Sequence, residues 1–278
     1  MRDRWFKQVD VFGTRPYLGN PVAVVLDADG LSESAMAAFA RWTNLSETTF
    51  LLPPTQSEAD YRVRIFTPGG EIPFAGHPTL GSCHAWLEAG NTPHYPGVVI
   101  QECGVGLVTL HASAGMAAFG APPLIRSGDL EDSVLAQATK ALGLKPEQVK
   151  ASNWIDNGPG WLGLLLSDAE TVLSLKPDAA ALGSLAVGVI GPQRDGGDTD
   201  FEVRAFAPGH GVPEDPVTGS LNAGLAQWLI GAGLAPDRYT VTQGTVLGRD
   251  GLIRIFSRDQ KIWIGGETAT CIDGTVRI

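Results

Sequence analysis

The sequence predicts an α+β chain of two pseudo-symmetric domains, each a curved, mostly antiparallel sheet or barrel wrapped around a central buried helix. Three observations carry that expectation. First, Arg64-Ile-Phe-Thr-Pro-Gly69 recurs as Arg204-Ala-Phe-Ala-Pro-Gly209, with Arg, Phe, Pro and Gly repeated at an offset of 140. Second, His77-Pro-Thr-Leu-Gly-Ser82 is followed at an offset of 138 by Asp215-Pro-Val-Thr-Gly-Ser220, keeping Pro, Gly and Ser in order. Repeats of this kind mark duplicated units. Third, both second motifs run into helical stretches that are apolar around most of their circumference, the pattern of a helix enclosed on all sides.

Element by element, residues 8–12 and 22–26 are short β-like runs. A helix is expected over 32–42, with Ser32 placed to cap it. Strands follow at 48–52 and 61–66, then the first enclosed helix at 78–88, carrying Trp86. Ala121-Pro-Pro123 reads as a linker. The expected domains are therefore 1–123, completed by a C-terminal strand at 268–278, and 124–267. The second opens with a helix over 132–142 that stops before Gly143, then a strand at 201–206. The second enclosed helix covers 216–230, where Ala223, Leu225, Ala226, Trp228 and Leu229 leave little polar face. Strands at 239–242, 252–256 and 262–266 end the pattern.

Composition bounds the function. The 278 residues are 44% hydrophobic and 18% charged, ordinary for a folded protein. The apolar run at 161–166 is far short of the roughly 18 residues that span a bilayer. Arg2, Asp3, Arg4 and Lys7 interrupt any secretory leader pattern, so a cytoplasmic home is expected. A net charge of −10 argues against a nucleic-acid partner. Cys83, Cys103 and Cys271 are an odd set without C-x-x-C spacing, better read as reduced thiols than as a disulfide framework.

The duplication suggests where chemistry sits. Helix N-termini present backbone N–H groups and a positive dipole end, which bind a carboxylate without a cationic side chain. If the two helix openings face one another across a domain interface, they form a small-molecule cleft. Gly76, Gly81 and Gly219 would let substrate approach the backbone, and Pro78 and Pro216 suit a first helical position. At corresponding places the halves differ, His77 against Asp215, which suggests separate roles. Either can also be read as a cap or packing residue. Glu47 lies just ahead of an apolar β-run, where partial desolvation would favour general acid/base work; a solvated loop glutamate is the bland reading. Glu71 and Glu214 read as rim residues.

Taken together, Gly13-Thr-Arg-Pro-Tyr-Leu-Gly-Asn-Pro-Val-Ala-Val24, residues 44–50, Phe66-Thr-Pro-Gly-Gly-Glu-Ile-Pro-Phe-Ala-Gly-His-Pro-Thr79, Glu214-Asp-Pro-Val-Thr-Gly-Ser220 and Gln243-Gly-Thr-Val-Leu-Gly-Arg249 resemble the PhzF, phenazine-biosynthesis-type family. The resemblance spans almost the whole chain. It implies a fold similar to diaminopimelate epimerase, a homodimer and no cofactor, and an isomerase acting on a small carboxylate-bearing molecule. No metal is expected either, because Cys83 and His84 follow His77 by six and seven residues and cannot both share its helical face. By that resemblance Glu47 is the catalytic carboxyl, supported by His77 and Asp215. Ser46, Gly76, Pro78, Thr79, Thr218, Gly219 and Ser220 contact substrate, Ser220 near its carboxylate. A two-thiol racemase is disfavoured, because the second motif region has no cysteine to pair with Cys83. No phosphate-loop match occurs, and nucleotide binding is not expected. The rival class is a binding or regulatory protein that kept the cleft and lost turnover. Tyr17, Leu18, Trp154, Asn157, Trp161 and His210 are candidate cleft walls; His84, His94 and His111 read as structural or surface residues.

Overall fold

The computed structural model describes every residue except Ala114 and Asp195. The chain divides into two compact units, Met1–Gly120 with Gly265–Ile278, and Ala121–Ile264.

In the first unit the elements run β1 (Asp3–Val11), β2 (Asn20–Val25), α1 (Glu33–Thr43), β3 (Glu47–Leu52), β4 (Tyr61–Thr67), β5 (Gly70–Ile72), α2 (Gly76–Glu88), β6 (Val98–Cys103), β7 (Gly106–Ser113) and β8 (Met116–Gly120). β1 pairs antiparallel with β2, β2 runs parallel to β3, β3 is antiparallel to β4, and β4 runs parallel to β6. β6, β7 and β8 form a meander. The ring is closed by the far part of β17 (Lys261–Arg277), which pairs with both β8 and β1, matching Asp3 to Arg277 and Val11 to Thr268. The result is an eight-stranded barrel without an open edge.

α2 fills that barrel. Leu80, Cys83 and Ala85 are completely buried, and the helix packs against β1, β2, β3, β6, β7 and β8. Helix and wall touch because Gly81 has no side chain: a Cβ there would stand 2.3 Å from Val22 Cγ1. Gly81 therefore serves packing, and the expectation that it opens the backbone to substrate is corrected. Outside the barrel, α1 lays Met36 and Ala40 on Phe50 and Phe66. Its start is set by Ser32, whose side chain accepts from Ala35 N, and its end by Asn44 in the left-handed region at φ 55°.

The second unit repeats the plan: β9 (Arg126–Gly128), α3 (Asp132–Leu142), β10 (Val149–Asp156), β11 (Trp161–Leu166), α4 (Ala169–Ser174), α5 (Ala179–Leu182), β12 (Ala186–Pro192), β13 (Phe201–Ala207), β14 (Val212–Asp215), α6 (Gly219–Gly231), β15 (Arg238–Gln243) and β16 (Gly251–Arg258). β10–β11 are antiparallel, β11–β12 parallel, β12–β13 antiparallel, β13–β15 parallel and β15–β16 antiparallel, the same sequence of senses as in the first barrel. The segment from Ala121 to Gly128 bonds to Ile262 at one end and, through β9, to β10 at the other. α6 is buried within; a Cβ on Gly188 of β12 would meet Leu221 Cδ1 at 2.1 Å, and one on Gly224 would meet the Ile155 carbonyl at 2.5 Å. α3, α4 and α5 cover the outer face through a cluster including Leu142, Leu166, Val172, Leu182 and Val189.

The repeated arginines explain the first motif. Arg64 Nε donates to Glu71 Oε1 at 2.7 Å and Nη2 to Glu71 Oε2, across the β4–β5 hairpin. Arg204 does the same to Glu214 across β13–β14, with both contacts at 2.8 Å. Each guanidinium also lies near a phenylalanine two residues on, 5.2 Å from Phe66 and 4.9 Å from Phe206. Glu71 and Glu214 are thus the forks' partners, a correction to their reading as rim residues. Two helix starts are corrected as well. α2 begins at Gly76, making Pro78 its third residue, and α6 begins at Gly219 with Thr218 as N-cap. Pro216 therefore precedes the helix, and Asp215 ends β14 rather than capping it. No helix among the described residues is long and apolar enough to cross a membrane.

Candidate active site

In the first unit, two chain reversals bring three predicted or adjacent residues together. After Asn44 turns the chain out of α1, Thr43 Oγ1 and Thr48 Oγ1 meet at 2.9 Å, which fixes the half-buried loop through Ser46 and presents Glu47 as the first residue of β3. Parallel pairing sets Glu47 opposite Val22, and the β2 residues just before it, Asn20 and Pro21, reach the second residue of α2, His77. His77 Nε2 stands 3.3 Å from Glu47 Oε2, with the side chains 3% and 15% exposed. On the ring's other side, Asn20 Nδ2 lies 3.3 Å from Nδ1. Burial pushes the His77 imidazolium down to about 3, outweighing a hydrogen bond with the Pro21 backbone that pulls the other way. The imidazole is neutral at any ordinary pH. Gly76, Pro78 and Thr79 are buried beside it in the first turn of α2, whose N-cap, Ala75, offers no capping side chain.

In the second unit, the predicted residues gather at the opening of α6. Thr218 Oγ1 donates to Asp215 Oδ2 at 2.6 Å. Ser220 is held from two sides: its Oγ accepts from Trp161 Nε1 at 3.1 Å and its carbonyl from Asn157 Nδ2 at 2.8 Å. Gly219 is buried between them in sequence. Asn157 and Trp161, read from sequence as wall candidates, thus support Ser220. Trp154 does something else, stacking under the Arg126 guanidinium at 3.6 Å and donating to Glu131. His210 is exposed and bonded to the Pro159 carbonyl, and Tyr17 is exposed at φ 77°.

Three polar residues escaped the sequence reading. Asn20 was quoted within a motif but given no role. Gln101 and Gln243 are completely buried, and each bonds a threonine at the opening of its unit's central helix: Gln101 Nε2 donates to Thr79 Oγ1 at 3.0 Å, and Gln243 Nε2 to Thr218 Oγ1 at 2.9 Å. The two threonines stand at different positions of the repeated motif, so the repeat did not mark these pairs. The remaining titratable residues stand apart. His84 bonds Thr268 and Thr270, and His94 pairs with Asp60 at 2.9 Å. All three cysteines are free, and burial raises the Cys83 thiol to about 12, which makes it a poor proton carrier. Among the described residues no three His, Cys, Asp or Glu side chains gather as a metal-holding group.

The pairing in the first unit can move a proton. A carboxyl beside a neutral imidazole is not locked into an ion pair by that ring, so it can take a proton and give it back. Known proteins resemble this chain over nearly its whole length. A family profile described as phenazine biosynthesis-like protein matches residues 9–274. The chain is 37% identical to a Schizosaccharomyces pombe protein named antisense-enhancing sequence 1, covering 99% of each. It is 33% identical to the trans-2,3-dihydro-3-hydroxyanthranilate isomerase of Pseudomonas chlororaphis, covering 96% of this chain and 97% of that one. Among solved structures, a PhzF-family phenazine biosynthesis protein of Enterococcus faecalis superposes with a TM-score of 0.82 at 26% identity, covering 100% of both.

Proposed function

The chain belongs to the phenazine biosynthesis-like family and is an isomerase, and from that premise we propose that it shifts a proton on a small, unsaturated, amino- or hydroxy-substituted carboxylate, with Glu47 as the group that carries the proton. The observation that supports this most directly is the buried 3.3 Å approach of Glu47 to a neutral His77. Glu47 acts first as base, lifting a C–H proton, and then as acid, returning it to another carbon of the conjugated system. No net redox change is involved.

His77 holds its neutral Nε2 within 3.3 Å of Glu47 Oε2, positioning the carboxyl against the substrate. Asp215 accepts a hydrogen bond from the substrate's amino or hydroxyl group. Backbone N–H groups at the opening of α6, assisted by Ser220, bind the carboxylate and the negative charge that builds on it as the C–H bond breaks. Ser46, Gly76, Pro78, Thr79, Thr218 and Gly219 shape the surroundings. The kinship also supports a homodimer that needs no cofactor.

The test uses trans-2,3-dihydro-3-hydroxyanthranilate in heavy water, read by mass spectrometry. Wild-type protein should wash deuterium into the ring, and Glu47→Gln should slow that by about 10²–10⁴-fold with its urea midpoint unchanged. Equal wash-in by the two proteins would remove Glu47 from the reaction.

A further inference from the structure

Gln243 ends β15 with its side chain wholly buried. Every hydrogen-bonding position of its amide is used. Oε1 accepts from the Thr218 backbone N–H at 3.0 Å and from Asn222 Nδ2 at 2.9 Å. Nε2 donates to Thr218 Oγ1 at 2.9 Å and to the Asp215 carbonyl at 3.1 Å. The amide's orientation is forced, because a backbone N–H must face its oxygen and a backbone carbonyl its nitrogen.

The constraint passes on to the next atom. Thr218 Oγ1 accepts a hydrogen bond from Gln243, so its own single hydrogen points to Asp215 Oδ2, 2.6 Å away. Gln243 thus grips Asp215 twice, at the backbone carbonyl directly and at the carboxylate through Thr218. We infer that Gln243 is a positioning residue for the isomerase reaction, directing the Thr218 hydroxyl so that Asp215 Oδ2 is held as an acceptor in one rotamer. Asp215 Oδ2 is thereby kept as an acceptor, in keeping with the role proposed for Glu47 as the proton carrier. The inference rests on the role proposed above for Asp215.

Gln101 likewise donates to Thr79 and accepts from Tyr61 Oη at 3.0 Å, but the motif position that holds Asp215 in the second unit is His77 in the first. Because Thr79 also shapes the proposed substrate's surroundings, the stability control is taken from the outer cluster: Leu142→Ala, at a buried residue of α3.

The decisive variant is Gln243→Glu, which keeps the shape and the acceptor facing Thr218 N and Asn222 but replaces the donor with an oxygen. That oxygen takes the Thr218 proton and draws the hydroxyl away from Asp215. With trans-2,3-dihydro-3-hydroxyanthranilate in heavy water, kcat should fall about 10- to 100-fold in Gln243→Glu and in the near-isosteric Thr218→Val, with KM moving less than about threefold. Leu142→Ala should lower the urea midpoint at least as much as Gln243→Glu while kcat stays within about threefold of wild type. Thr218→Val decides the matter if Gln243→Glu does not fold. Retained kcat in Gln243→Glu or Thr218→Val, or an equal loss of kcat in Leu142→Ala, would overturn the inference. If wild-type protein itself gives no wash-in, the functional reading fails, and a crystal structure of Gln243→Glu then judges the inference alone. Thr218 Oγ1 turned to the new carboxylate supports it; Thr218 Oγ1 still on Asp215 Oδ2 overturns it.

Discussion

The two Arg–Glu forks form a matched experiment within one chain. Both are bidentate and both bridge a hairpin, yet Arg204 and Glu214 are 3% and 13% exposed, against 25% and 36% for Arg64 and Glu71. In Glu214→Gln an amide N–H₂ replaces one oxygen of the fork and faces a guanidinium that can only donate. Removing one partner of a buried pair costs about 3–5 kcal/mol, because the surviving charge stays in a poor solvent. Here Arg204 Nη1 keeps its bonds to the Val172 and Leu175 carbonyls, which lowers the expected loss to about 3 kcal/mol. At Glu71 water solvates what is left and Arg64 still has Glu33 at 2.9 Å, so the loss is about 0.5 kcal/mol. In thermal unfolding these translate to roughly 10 °C for Glu214→Gln and about 2 °C for Glu71→Gln, read by calorimetry alongside urea midpoints. Equal losses at the two forks would refute the argument that burial, rather than the fork itself, sets their worth.

Two pH effects of opposite sign follow from buried groups. His77, pushed down to about 3, stays neutral in the fold while the unfolded chain protonates below about 6.5. Its stability contribution is intact above that value and falls by about 1.4 kcal/mol per pH unit on acidification toward 3; urea titrations of wild type and His77→Gln should converge between pH 6.5 and 4.5, and parallel curves would refute it. Glu202 is raised to about 7, mainly by burial against the help of Thr245 and Arg204. The unfolded carboxyl ionises from about 4.5 upward, so stability drains as pH rises from there to about 7, and Glu202→Gln should stabilise the protein by about 2 kcal/mol at pH 8 and hardly at all at pH 4. A pH-independent difference in urea midpoint would contradict that assignment.

Much of this architecture was visible in the residues, because a duplication leaves its turn residues in register even after its packing residues diverge. Ser32 and Gly143 marked helix ends for local reasons, a side-chain acceptor at one and a left-handed C-cap at φ 66° at the other. β4, alternating buried and half-exposed residues, showed its period. By contrast, β12, whose first six residues are all buried, lacks alternation, and a continuous apolar run fits an enclosed strand or helix equally well. β6, β7, β8 and β10 were missed too. The proximity of Glu47 to His77 was suggested by kinship rather than by spacing, since 3.3 Å between them depends on the parallel β2–β3 pairing. The partners of Arg64 and Arg204, and the amides of Gln101 and Gln243, are tertiary facts: nothing in the residues next to them reveals which threonine or carboxylate the folded chain will bring near.

β17 has a consequence for how the chain comes to be folded. Its first residues belong to Ala121–Ile264, while the remainder is the stave that seals the first barrel, joining Asp3 to Arg277 across 274 positions. The second unit is one uninterrupted stretch and can assemble as soon as it has left the ribosome. The first begins earlier but must wait with a gap between β1 and β8, its unpaired edges exposed, until that last stave arrives. The half that is made first is therefore the half that is finished last, and a chain cut before the far part of β17 loses the closure of the barrel that holds Glu47.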